Sequence, residues 1–111
     1  MSEDITYPLD DETCKKLAVW LCDNALKNTS YYVQECRTML LDYTQNGMND
    51  TLLQDIRNAT GQPELTKIAA TELLDGEIKK GLGRLALWER QPRDTNARFF
   101  RMKYNQVNWE A

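Results

Sequence analysis

The chemistry open to this chain is set first by a residue it lacks: its 111 residues include no histidine. That removes the usual general base near neutral pH, the Ser-His and Cys-His nucleophile pairs, and the zinc sites that mix thiolate with imidazole. Three cysteines, Cys14, Cys22 and Cys36, are too few for a four-thiolate site. Cys14 and Cys22 stand eight residues apart on one predicted helix, which separates their Cα atoms by about 12 Å, too far for a disulfide. Each cysteine falls on an apolar helical face and reads as a small buried hydrophobe in a reducing compartment. Carboxylates cluster at Asp10-Asp11-Glu12 and at Asp75 and Glu77, where helix caps and solvated helix ends account for them. Gly81-Leu82-Gly83-Arg84 has glycines but neither the spacing nor the lysine of a phosphate cradle, and no calcium-loop pattern occurs. The expectation is a protein that is not an enzyme and that needs no metal or cofactor.

What remains is cationic and aromatic, and it is concentrated between Glu77 and Trp109. That stretch holds eight of the chain's Lys and Arg residues, together with Trp88, Trp109 and the pair Phe99-Phe100. The net charge of −3 conceals a polarity. Residues 1–78 carry six Lys/Arg against fourteen Asp/Glu, a net −8, and residues 79–111 carry eight against three, a net +5. Such asymmetry suggests an interaction surface or subunits that meet head to tail, unless the two parts face each other within one fold.

Helical projection sorts these residues. On a helix starting at Glu77, Ile78, Leu82, Leu85 and Trp88 share one arc, while Lys79, Lys80, Arg84 and Arg90 lie on the other, with Leu87 among them. On a following helix Ala97, Phe100 and Tyr104 face inward. Opposite them lie Arg98, Phe99 and Met102, flanked by Arg101 and Lys103. The candidate binding residues are therefore Lys80, Arg84, Arg90, Arg98, Phe99, Arg101, Met102 and Lys103. Three readings apply to this face. Phe99 and Met102 cover another helix of the same monomer; or the face is a protein–protein patch, where arginine and aromatic residues concentrate; or it meets nucleic acid, with the arginines on phosphates and Phe99 stacking or wedging. The overall negative charge opposes general nucleic-acid affinity and leaves room for a local basic patch.

The elements that must position these residues are helical throughout. Only five Gly and three Pro, among many good helix formers, favour an all-α fold. The length allows a single domain, residues 1–111, with one modest core. Residues 1–9 read as an extended arm, because Tyr7 precedes Pro8. Asp10 or Asp11 caps a first helix whose Cys14, Leu17, Ala18, Leu21, Cys22, Ala25 and Leu26 form a continuous stripe to about Lys27. Val19 and Trp20 widen that stripe and make the helix central. Tyr32, Val33, Cys36, Met39, Leu40 and Tyr43 give a second helix, closed at Asn46-Gly47. Asn49 or Asp50 caps a third, carrying Leu52, Leu53, Ile56 and Ala59 and stopped by Gly61. Pro63 suits the first turn of a fourth, with Leu65, Ile68, Ala69 and Leu73 as its stripe and Asp75-Gly76 as a hinge or stop. The fifth runs from Glu77 to Gln91-Pro92. Asp94 or Thr95 caps a sixth that includes Val107 on its inner face, and Trp109 folds the terminus back. Gly81 and Gly83 mark either a flexible joint or a close approach of another backbone. The expected architecture is a single compact domain of five or six short helices, with residues 77–111 as its basic C-terminal segment.

The run Glu77-Ile-Lys-Lys-Gly-Leu-Gly-Arg-Leu-Ala-Leu-Trp-Glu-Arg, a short break, Asp94-Thr-Asn-Ala-Arg-Phe-Phe-Arg-Met-Lys-Tyr and then Trp109 resembles the C-terminal part of phage DNA-packaging proteins of the small-terminase type. The resemblance covers roughly the last third. It implies a ring-forming oligomer that binds viral DNA and contacts a packaging motor. The N-terminal helix-turn-helix of that family has no good counterpart here: the nearest candidate, Leu52 to Gly76, lacks a glycine turn before a recognition helix.

Met1-Ser-Glu-Asp is acidic where a signal peptide is basic, and no run approaches the roughly 20 apolar residues of a membrane span. The expectation is a soluble cytoplasmic protein, in the host cytoplasm if the protein is viral, with no membrane partner and no small-molecule substrate. It is a non-catalytic, self-associating binding protein of the phage accessory kind. It acts in a nucleic-acid-associated assembly or, alternatively, as an inhibitor or adaptor docked on a host or viral protein through the same C-terminal face.

Overall fold

The computed structural model describes residues 8–24 and 33–110, which form five α-helices and, among the described residues, no strand. They are α1 (Asp11–Asn24), α2 (Val33–Asn46), α3 (Asp50–Thr60), α4 (Lys67–Arg90) and α5 (Thr95–Gln106). No helix among the described residues is long and apolar enough to cross a membrane. The expected continuation of the first helix to Lys27, the start of the second at Tyr32 and most of the N-terminal arm lie outside the described residues.

Local chemistry sets most of the helix ends. The Asp10 carboxylate accepts the Thr13 N–H at 2.9 Å at the start of α1, and Asn49 accepts the Leu52 N–H at 2.8 Å at the start of α3. Asp94 accepts from Asn96 and Ala97 at the start of α5. Gly47 (φ 79°) and Gly61 (φ 70°) adopt the left-handed conformation that ends α2 and α3, a region costly for side chains with a Cβ.

Three expectations about the middle of the chain are corrected. Helix α4 starts at Lys67, where Thr66 accepts the Ala69 N–H, and not at Pro63. The Leu65 N–H bonds instead to the Gln62 carbonyl, making Pro63-Glu64 a turn, a place that suits a residue with a preset φ. The helix then passes through Asp75-Gly76 without a break and reaches Arg90 as a 24-residue rod. A helical glycine costs about 1 kcal/mol. Against that, Leu74 and Ile78 are buried on either side, and the Tyr43 hydroxyl donates to Asp75 at 2.5 Å. The core phase of α4 is also displaced from the expected stripe. Ala70, Leu74, Ile78, Gly81 and Leu85 are buried, whereas Ile68 is 74% exposed, because it lies about 120° around the helix from that row.

The hub of the core is α1. Cys14, Leu17, Ala18, Val19, Trp20 and Leu21 are all buried, so α1 is covered over a wide arc by α2, α4 and α5. The closest approach is at Gly81 of α4. A Cβ there would stand 2.6 Å from Leu17 Cδ2 and 3.2 Å from Trp20 Cε3. Gly81 is thus a close-approach residue, whereas Gly76 and Gly83 face open space. The third helix adds Leu52, Leu53, Ile56 and Ala59 to the core, as its sequence stripe requires, and packs on α4. Thr44, buried on α2, accepts the Leu9 N–H at 2.6 Å and so holds the chain just before α1.

These contacts predict opposite signs for chemically identical substitutions. Gly81→Ala must displace Leu17 and Trp20 and is expected to lose about 1–3 kcal/mol. Gly83→Ala meets nothing and is expected to gain about 0.5–1 kcal/mol from helix propensity. Urea unfolding of the two variants checks the pair; an equal response would show that α1 does not seat on Gly81.

Candidate functional site

The C-terminal segment is positioned by aromatic stacking and by a cluster of polar contacts to α1 and α2. Trp88 of α4 meets Phe100 of α5 at 5.1 Å between ring centroids, Phe100 meets Tyr104 at 6.2 Å, and Tyr104 meets Trp109 at 5.4 Å. The ladder runs from the end of α4 along the inner side of α5 to the terminal tryptophan. The Trp109 indole N–H donates to the Tyr104 carbonyl at 3.2 Å. Lys15 and Arg37 stand 5.8 and 5.9 Å from the Trp109 ring, at cation–π range, and Gln34 donates to the Asn108 carbonyl. The Tyr104 hydroxyl donates to Glu12. Burial first, then that hydrogen bond and the Glu12 charge, push the Tyr104 pKa up to about 12. Trp109 therefore folds back as expected, onto α1 and α2.

Arg37 anchors this end of the molecule. Its guanidinium grips Asp11 through two parallel bonds, Nε to Oδ1 at 2.7 Å and Nη2 to Oδ2 at 2.8 Å. Those hydrogen bonds are the main reason the Asp11 carboxyl is held below the usual carboxylate range; partial burial opposes them, and the charges of Arg37 and Lys15 add to them.

All eight residues proposed from the sequence are exposed. Phe99 is 54% and Met102 48% exposed, so each leaves about half of its surface open among the described residues. Arg84, Phe99 and Lys103 come together around a hollow of about 560 Å³ between α4 and α5, with Trp20, Trp88, Phe100 and Asn96 completing its lining. Arg101 lies on the other flank of α5, beside a second hollow of about 380 Å³ lined mainly by Leu85, Trp88, Pro92, Ala97, Phe100 and Tyr104. Lys16 and Glu89 face each other at 3.9 Å on its edge. Arg98 and Met102, one turn apart, occupy the solvent side of α5.

Like Arg98 and Met102, the remaining two candidates, Lys80 and Arg90, line neither hollow. Lys80 sits one turn before Arg84 and pairs with Glu77 at 3.3 Å. Arg90 lies on the far side of α4 from the buried row. Arg84, Arg90, Arg98 and Arg101 make no ion pair with another described residue. Sequence reasoning missed Trp20, Asn96 and Lys16 as parts of this region. Trp20 belongs to the core of α1, and only the crossing at Gly81 brings it near α5; no local pattern signals that. Among the described residues, no group of three or more potential metal ligands stands together.

No protein-family model matches this chain, and neither a curated protein nor a solved structure shows a match to it. The chemistry of the site must therefore be argued from its own residues. It presents aromatic faces beside the exposed cations Arg84 and Lys103.

The Asp11–Arg37 grip gives a pH dependence with a definite sign. Because the folded-state pKa of Asp11 is lowered, its stabilisation is complete above the ordinary carboxylate pKa of about 3.9. It is lost as pH falls through the lower folded value. Asp11→Asn is expected to melt below the wild type at neutral pH, with the gap closing toward pH 3; a constant gap in thermal melts would exclude a role for the charge. The two neighbouring phenylalanines offer a second contrast. Phe100→Ala is expected to lose about 2–3 kcal/mol and red-shift tryptophan emission as Trp88 becomes wetted. Phe99→Ala is expected to change stability by less than about 0.5 kcal/mol, which would separate the exposed ring from the structural one.

Proposed function

We propose that this chain is a non-catalytic binding protein that engages nucleic acid through the α4–α5 face, in an assembly of the phage accessory kind. The observation that carries the reading is the exposed Phe99 on the rim of an aromatic-walled hollow, with Arg84 and Lys103 beside it. An unstacked base finds π faces in Phe99, Phe100 and Trp88, and its phosphates find cations within the same hollow. Arg98 and Arg101 extend positive charge along α5 for neighbouring phosphates. Base–aromatic stacking is tolerant of sequence and contributes about 1–3 kcal/mol per base. The local net charge of +5 in residues 79–111 supports the reading despite the chain's −3. So does the resemblance of the last third to small-terminase-type packaging proteins, which carries with it the proposal of an oligomer on viral DNA.

A second reading rests on a separate observation. Phe99 and Met102 form an adjacent apolar pair at about half exposure, the kind of anchor that a protein partner buries. In that case the chain is an inhibitor or adaptor, and the −8 and +5 parts of a second copy are one natural complement.

Fluorescence anisotropy with single-stranded and duplex oligonucleotides distinguishes the two. Nucleic-acid binding should weaken roughly fifty-fold for single strands and about 150-fold for duplex between about 50 and 200 mM salt if some four phosphates are neutralised. Arg98→Glu combined with Arg101→Glu should abolish it. Phe99→Ala should weaken single-strand binding about ten-fold or more, at any salt. Absence of salt-dependent binding to either form would overturn this reading and leave the protein-directed one. There Phe99→Ala is expected to cost more than either charge reversal.

A further inference from the structure

We propose that Cys22 and Cys36 form a thiol–disulfide couple that reversibly links α1 to α2, with a low-molecular-weight disulfide such as oxidised glutathione as the oxidant. The two residues stand fourteen apart in sequence, one in the last part of α1 and the other in the first turn of α2. Their sulfur atoms are 2.8 Å apart, one thiol donating to the other. That is closer than sulfurs in ordinary unbonded contact and less than about 1 Å beyond a disulfide bond. Forming the bond therefore asks for a small adjustment of two side chains and no rearrangement of the helices. Cys14, Cys22 and Cys36 are all in the reduced state, with no disulfide between them. The third does not compete: Cys14 is fully buried two helical turns earlier on α1. Its thiol is pushed up to about 11 by burial and by the nearby charges of Asp11 and Asp10.

The pair is asymmetric in a way that orders the chemistry. Cys36 is fully buried and Cys22 half-buried. The hydrogen bond with Cys22, then burial, then the charges of Cys22 and Glu35 all hold the Cys36 thiol in its neutral form. An external disulfide therefore meets Cys22. The Cys22 thiolate attacks one sulfur of that disulfide, forming a mixed disulfide and expelling one thiolate. Cys36 then loses its proton as it attacks the Cys22 sulfur, expelling the second thiolate. Two cysteines are oxidised, the external disulfide is reduced to two thiols, and the two protons released from Cys22 and Cys36 end on those thiols or in solvent. The product closes a loop between the two helices that hold Trp109, and it restricts the unfolded chain.

The test uses the full chain. It is incubated with excess oxidised glutathione, quenched by alkylation in acid and mapped by peptide mass. The expected product has Cys22 joined to Cys36 with the loss of two hydrogen atoms and with Cys14 alkylated. It should melt about 10 °C above the reduced protein and return to it on treatment with dithiothreitol. Cys14→Ser is expected to keep this response, and Cys22→Ser and Cys36→Ser are each expected to lose it. A persistent glutathione adduct on Cys22 beside a reduced Cys36, a bond to Cys14, or only intermolecular links would overturn the proposal. Because the map is made on the wild-type chain, it decides the question even if Cys36→Ser fails to fold.

Discussion

The crossing of α1 over α4 at Gly81 is the constraint on which the rest of the molecule depends. A hydrogen atom in place of a side chain lets Leu17 and Trp20 seat directly against the α4 backbone. That depth of approach packs α1 closely against the 24-residue α4. It also fixes where Trp20 ends up. With α1 any farther from α4, the indole would not reach the hollow between α4 and α5, and that wall of the candidate site would be missing.

A second layer of order is built on that crossing. Helix α5 buries little of its own surface; Ala97 is its one buried residue among those described. It is held by half-buried rings stacked from Trp88 to Trp109 and by polar contacts from Glu12, Gln34 and Arg37. A helix attached by one inner row leaves most of its circumference to solvent. This is why Phe99, Met102 and the arginines of α5 stay open while Phe100 and Tyr104, one residue away in each case from an exposed neighbour, serve the fold. The arrangement leaves an aromatic, cationic surface along the outer side of α5.

Much of this was legible in the linear chain. The stripes of α1, α2 and α3 follow from residue type and spacing, and the caps were legible to within one residue (Asp10 or Asp11, Asn49 or Asp50, Asp94 or Thr95), because each depends on contacts within a few residues. The inner row of α5, Ala97, Phe100 and Tyr104, was equally readable, whereas the sequence left open whether Phe99 and Met102 opposite it pack on another helix. The failures share one cause. Gly76 reads as a break and Ile68 as core when α4 is considered alone, since a local window weighs propensity without knowing what lies against the helix. Burial of Leu74 and Ile78 outweighs one helical glycine, and the same row decides that Ile68 faces solvent.

The same division holds for the candidate site. Composition and periodicity alone determined an all-α chain, the absence of histidine chemistry, the acidic and basic parts and the identity of the cations on α4 and α5. These are properties of residue type and of a 3.6-residue repeat. Tertiary structure alone decided which cations share a hollow, which remain apart, that Trp20 joins them, and that Cys22 meets Cys36 rather than Cys14. Such proximities are made between helices, by the depth and angle at which they pack. The sequence encodes that depth in single residues such as Gly81, whose meaning depends on what crosses them.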